Sequence, residues 1–274
     1  MLNKTILLLC FFTITHGFSQ RVSQELKAVL SALDYSKFEA YAEQVQDSYV
    51  KDEYFAQESY LINRDIFDQY HETYVQIQES YLIDSIDAKH GLNLFNLKII
   101  SHCDTILFYE ISRQESQKDE NGYWIQAEMI EVATQTDLKR YKKFTLNYEE
   151  IFHTHFDKTD LFIEDIGIKY GFACGLGGGL MSLRKQVNGF VEAKDTVAIL
   201  DWLSCARPVF QLYAIDGILT LKEQGVYFEP YVYNIIQIIK AKEGTVLACQ
   251  GCVVMPESIS GIAAAILARH EFTF

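Results

Sequence analysis

The sequence predicts an α+β fold with N-terminal helices, a small antiparallel β-sheet in the middle and an antiparallel helical array at the C-terminal end. Three observations carry this. Apolar residues recur at helical spacing from Val22 to Val45. β-Branched and aromatic residues crowd Leu97 to Ile111 and then alternate with polar ones from Tyr123 to Met129. The prolines stand at 208, 230 and 256, each where an apolar helical stripe begins. The implied organisation is a signal peptide at 1–19, an N-terminal helical region at 20–90, a β-rich region at 91–173 and a helical array at 174–274.

The first residues read as an export signal. Lys4 precedes an apolar run from Thr5 to Thr15, and the small residues Gly17 and Ser19 suit cleavage before Gln20. Cys10 lies inside the run after three leucines, which does not fit a lipidation site. No other apolar run approaches the roughly 20 residues of a membrane span. An exported, soluble, periplasmic or extracellular protein without a membrane span is therefore expected. Cleavage removes one charged residue, Lys4, so the formal charge of −13 becomes −14. With a pI near 5.0, nucleic acid is a poor partner, because phosphate binding needs clustered cations.

Val22, Leu26, Val29, Leu30 and Leu33 outline a first helix. Ser36 with Glu39 reads as a capping box opening a second, whose stripe is Phe38, Tyr41, Ala42 and Val45. Phe67, Tyr70, Tyr74, Ile77 and Tyr81 are spaced three, four, three, four and suggest a third helix packing its rings on a core. A strand through Tyr74–Gln78 is the alternative, since apolar and polar residues also alternate there. Further on, Asn121-Gly122 marks a hairpin tip, and Phe144–Phe156 and Leu161–Phe172 add strand-like runs, giving a sheet of three to five strands.

Besides the cysteines, two places could carry chemistry. On a strand, His153, His155 and Asp157 would share one face and could converge on a metal, but a lone His-x-His is a weak signal and an exposed strand face is the simpler reading. The run Gly171–Leu180 could cradle a phosphate. The dinucleotide fingerprint would need glycine where Leu180 stands, and no lysine-serine or lysine-threonine pair completes a P-loop. No cofactor is expected, and the glycines read as a connection between sheet and helices. Neither a Gly-x-Ser-x-Gly elbow nor a His-Glu-x-x-His motif occurs, so no catalytic residue is assigned.

After cleavage Cys103, Cys174, Cys205, Cys249 and Cys252 remain, an odd set in an oxidising compartment. Cys249 and Cys252 could form a local disulfide, a redox dithiol or half a zinc site. Too little chain follows Cys252 for a thioredoxin-like sheet, and neither Cys174 nor Cys205 belongs to a second close pair. A structural disulfide, with Cys249 and Cys252 the candidate pair, or buried thiols is the expectation.

From Asp195 the chain alternates helix and turn. One helix carries Val197, Ile199, Leu200, Trp202 and Leu203. Others open at Pro208 and stop at Gly225, open at Pro230 and stop at Gly244, and open at Pro256 with Ile259, Ile262, Ala263 and Ile266. A shift of about 36 residues lays Ile199 on Ile235, Leu200 on Ile236, Leu203 on Ile239 and Gly225 on Gly261. Ala206–Leu219, led by Arg207 and closed by Gly225, resembles the second helix of a HEAT repeat. The likeness spans about two repeats, fewer than the three or more that usually stand alone. It implies a scaffold or binding surface, with a protein partner reached through the helical array. The sequence thus favours an exported structural or protein-interaction module. The alternatives are a hydrolase-type enzyme with an unrecognised site and a metal- or redox-linked protein using Cys249/Cys252.

Overall fold

Apolar residues on alternate positions of long strands set the middle of the molecule. A computed structural model describes residues 21–47, 54–84, 89–119, 121–162, 168–175, 177–251 and 253–274. The expected signal peptide at 1–19 and Cys252 lie outside these residues. The class is mixed α+β with antiparallel sheets, as predicted, and the chain divides into two compact units, Met1–Leu61 with Thr73–Tyr141 and Ile62–Glu72 with Lys142–Phe274.

In the first unit, helices α1 (Arg21–Leu30) and α2 (Tyr35–Asp47) form the predicted pair. Asp34, rather than Ser36, caps α2: its carboxylate accepts the Lys37 N–H at 3.3 Å and the Ser36 hydroxyl at 2.7 Å. The sheet is six-stranded, larger than expected, with order β1-β2-β3-β4-β5 and β6 paired to β4. Its strands are β1 (Tyr54–Phe67), β2 (Tyr70–Asp84), β3 (Lys89–His102), β4 (Thr105–Lys118), β5 (Trp124–Gln126) and β6 (Ile130–Thr136). Val75 and Ile77 of β2, Phe95, Leu97 and Ile99 of β3, and Tyr109 and Ile111 of β4 alternate inward. They meet Val22, Leu26, Leu30 and Phe38 of the two helices in one core.

The helix expected over Phe67–Tyr81 is strand β2 and the end of β1. Asp68 and Gln69 both take positive φ (42° and 62°), the geometry of a tight hairpin turn, and from Val75 to Glu79 burial alternates residue by residue. The Asn121-Gly122 tip does turn the chain between β4 and β5, with Lys118 opposite Trp124. The Leu97–Ile111 run, however, is broken by a turn at Cys103-Asp104 into two strands.

The second unit is mostly helical, with α3 (Leu138–Phe152, from Lys142 on), α4 (Ser182–Ala193), α5 (Thr196–Ser204), α6 (Pro208–Glu223), α7 (Pro230–Ala241) and α8 (Ile259–Arg269), and two-residue strands β7 (Ala173–Cys174) and β8 (Gly179–Leu180) pair ahead of α4. Phe144–Phe152 is helix, not strand, because Phe144, Tyr148 and Phe152 fall every fourth residue and bury one face. These rings pack around Phe67 from the hairpin tip, at centroid distances of 5.7 Å to Phe144 and to Tyr148 and 5.9 Å to Phe152. Of Leu161–Phe172, residues 163–167 lie outside the described set, and Tyr170 forms only an isolated bridge to Ala248.

Pro208 and Pro230 do sit in the first turns of α6 and α7, and Gly225 follows α6 at φ 86°. Pro256 does not open a helix. It lies in β10 (Val253–Ser258), paired with β9 (Thr245–Gln250), and α8 starts three residues later behind the Ser258 cap. A β-hairpin therefore separates the last two helices of the array. Helix α6 is buried along nearly its whole length, so α4, α5, α7 and α8 surround it. Gly217 permits the α4 approach, since a Cβ there would lie 3.0 Å from the Val187 side chain.

Candidate functional site

The three suspected metal ligands are not brought together. Because α3 continues to Phe152, the period-two argument for His153, His155 and Asp157 does not apply. His153 takes a positive φ of 55° past the helix end and sets its ring edge-on to Tyr231, with centroids 4.5 Å apart. His155 pairs with Glu149 at 2.8 Å, and Asp157 caps a single 3-10 turn by accepting Thr159 N–H at 2.8 Å. Among the described residues, no group of three or more His, Cys, Asp or Glu is placed to hold a metal ion.

The cysteine expectation is corrected as well. Cys249 is bonded to Cys174, not to Cys252, across 75 residues of sequence. The cause is strand packing. Residues 170–174 run parallel to β9, with bridges from Tyr170 to Ala248 and from Cys174 to Gly251, which sets the two Cα atoms 5.7 Å apart. Gly171 makes the close approach possible, since a Cβ there would lie 2.6 Å from the Cys249 carbonyl oxygen. Tyr213 of α6 anchors the same segment, its hydroxyl accepting Gly171 N–H at 3.0 Å. Cys205 stays a thiol, and desolvation pushes its pKa up to about 12, which leaves it protonated and unreactive near neutrality.

This clasped segment walls a groove of about 490 Å³. The opposite wall is α8, which contributes Gly261, Ile262, Ala265, Ile266 and Arg269. Gly261, Ala265 and Arg269 are four residues apart and so share one helix face, small at one end and cationic at the other. Phe172, half exposed, lines the clasp side, and Glu257 marks the end away from Arg269.

Beside the groove lies a buried ion cluster. Asp216 of α6 pairs with Arg184 of α4 and Arg269 of α8, and accepts His270 Nε2 at 2.9 Å. Burial alone would raise the Asp216 pKa. The His270 hydrogen bond and the Arg184 and Arg269 charges outweigh it and hold the carboxyl below the usual range. The Arg184 guanidinium also stacks on Phe172 at 4.2 Å and on Tyr213 at 4.7 Å, and Arg269 reaches Phe172 at 4.7 Å. Sequence reasoning passed over this cluster. Its one local signal is Asp216 itself, a lone carboxylate inside the apolar stretch Val209–Leu221.

A second buried charge is enclosed elsewhere in this unit. Lys242 is 2% exposed and donates to Gln211 Oε1 at 2.8 Å, while Gln211 donates to the Cys205 carbonyl at 2.7 Å. Glu72, paired with Arg64, accepts the Phe162 N–H at 2.8 Å. Desolvation lowers the Lys242 pKa to about 7, opposed in part by Glu72. From about pH 7 up to the ordinary 10.5 the unfolded chain holds a proton that the native state has lost, so stability rises with pH across that window and is flat below it. Urea midpoints measured from about pH 6.5 to 9.5 should show this slope, and Lys242→Met should flatten the window it accounts for. An unchanged slope in the variant would place the titration elsewhere.

No family model, curated protein or solved structure matches this chain.

Proposed function

We propose that this chain is an exported binding protein whose C-terminal unit holds the apolar part of a ligand in the groove between α8 and the clasped Tyr170–Cys174 segment. The observation that carries the reading is the groove itself. Its volume of about 490 Å³ falls within the range of small-molecule sites, and its lining is mainly small and apolar, with a few polar side chains, Gln250, Glu257 and Arg269. Export is supported by the leader-like residues 1–19 and by the Cys174–Cys249 bond, which suits an oxidising compartment. Among the described residues no helix is long and apolar enough to cross a membrane.

The test uses a neutral apolar dye, N-phenylnaphthylamine, whose fluorescence rises on transfer from water. The native chain should bind it saturably. Ala265→Trp should weaken binding at least tenfold with little change in stability, because Ala265 is exposed on the groove face of α8. Equal binding by the two proteins would sink the reading.

A second reading, protein interaction, is favoured by β10. Val253, Val254 and Met255 are exposed on a strand whose only strand partner among the described residues is β9. An open, apolar edge can accept an extended segment of another chain. The HEAT-like likeness of Ala206–Leu219 belongs with this scaffold reading. Val254→Lys should then abolish a protein contact without affecting dye binding.

A further inference from the structure

The ion cluster beside the groove is out of balance. Two guanidiniums, Arg184 and Arg269, share the single carboxylate of Asp216. Arg184 is 3% exposed, yet only its Nη1 is used in that pair. Its Nε and Nη2 are buried and have no hydrogen-bond partner among the described residues. The Tyr170 hydroxyl, buried beside Arg269, makes no hydrogen bond of good geometry either. Buried donors are almost always satisfied, and leaving one unmade is costly. Such a group of donors in one place calls for an acceptor.

Two rings that line the groove lie over Arg184, Phe172 at 4.2 Å and Tyr170 at 5.8 Å, and Phe172 is the nearer. Phe172 stacks on both guanidiniums, lines the groove and is 49% exposed. Rotating that ring aside would open the Arg184 donors to the groove without breaking a hydrogen bond of the Phe172 side chain. At the far end Glu257 carries a negative charge. Gly261 and Arg269 are eight residues apart on α8, so the helical wall of the groove is about 12 Å long.

We infer that the groove takes a small aliphatic monocarboxylate, with its chain along Ile262, Ala265 and Ile266 and its carboxylate held by Arg184 and Arg269 after the Phe172 ring swings out. The inference rests on the groove being a binding site and adds the ligand's chemistry and direction. Arginine forks suit a carboxylate because two parallel N–H groups meet its two oxygens. Glu257 repels the anion from the other end and leaves one orientation. The polar rim of the carboxylate would satisfy Nε and Nη2, which the folded chain leaves open.

Titration calorimetry with octanoate, octanol and octylamine on the full chain separates the possibilities. Octanoate should bind roughly ten- to a hundredfold more tightly than octanol, the value of charge-assisted hydrogen bonds, and octylamine should bind least. Arg269→Gln leaves the Arg184–Asp216 pair in place and should remove most of the octanoate preference while octanol binding is kept. Phe172→Ala should keep or strengthen octanoate binding. Equal affinity for octanoate and octanol, with Ala265→Trp abolishing both, would overturn the carboxylate assignment while leaving the groove as a binding site. Octanoate preference unchanged in Arg269→Gln would overturn it too. If the dye and all three alkyl probes fail to bind the native chain, the groove reading itself falls.

Discussion

Asp216→Ala should destabilise the protein by about 3–5 kcal/mol, the usual cost of removing one partner from a buried ion pair. Among the described residues Asp216 is the only carboxylate paired with Arg184, whose side chain is 4% exposed. Deleting it strands that guanidinium among Tyr170, Phe172 and Tyr213. It also frees Arg269 and takes one of two carboxylate partners from His270, which keeps Glu223 at 2.7 Å as its tie to α6. Urea unfolding of native and variant chains measures the loss. Asp216→Asn, which keeps an acceptor but not the charge, should fall between them. The double variant Asp216→Ala, Arg184→Met should recover much of the deficit, because no unpaired charge remains buried. The pH dependence has a defined sign. The Asp216 carboxyl is held below the usual range, so its contribution is whole above the ordinary carboxylate pKa and is lost as pH falls through the lower native value. The gap between native and Asp216→Ala should therefore close in acid. A gap that persisted to the acid transition would show that the carboxylate charge is not what stabilises the cluster.

The second large effect concerns the clasp. The Cys174–Cys249 bond closes a loop 75 residues long, and the chain-entropy estimate for such a loop is about 4 kcal/mol. Replacing both cysteines by serine should lower the unfolding free energy by an amount of that order. It should also weaken binding of the neutral dye, since the residues next to Cys174 and Cys249 form one wall of the groove. Peptide mapping without reduction should recover Cys174 linked to Cys249. A Cys249–Cys252 link would refute this assignment and restore the local pairing suggested by sequence spacing.

The residues that announced structure were those acting over short distances. Pro208, Pro230 and Gly225 mark helix ends through their own backbone limits, and Val22, Leu26 and Leu30 mark a helix face by spacing alone. Asp68-Gln69 turns as tightly as Asn-Gly would, but its residues do not advertise positive φ, and the flanking aromatics also fit a helix. That ambiguity hid the first hairpin. Pro256 misled for the converse reason, since proline tolerates an exposed strand of a two-stranded ribbon as well as a first helical turn. The groove and its ion cluster were largely illegible. Arg184, Asp216 and Arg269 belong to three helices, and Cys174 meets Cys249 only after two segments have packed in parallel. Spacing along the chain carries no trace of such meetings.

The hairpin tip Ile62–Glu72 is a member of the C-terminal unit, although the rest of that unit begins at Lys142. A recombinant fragment starting at Lys142 would lack Phe67, around which Phe144, Tyr148 and Phe152 pack, and would lack Glu72, the carboxylate that most favours a charged Lys242. Such a fragment would have an open aromatic face and a buried Lys242 without its main counter-charge, and adding the missing peptide in trans would have to replace both. The groove-bearing half can therefore complete its core only after the ribosome has made both stretches.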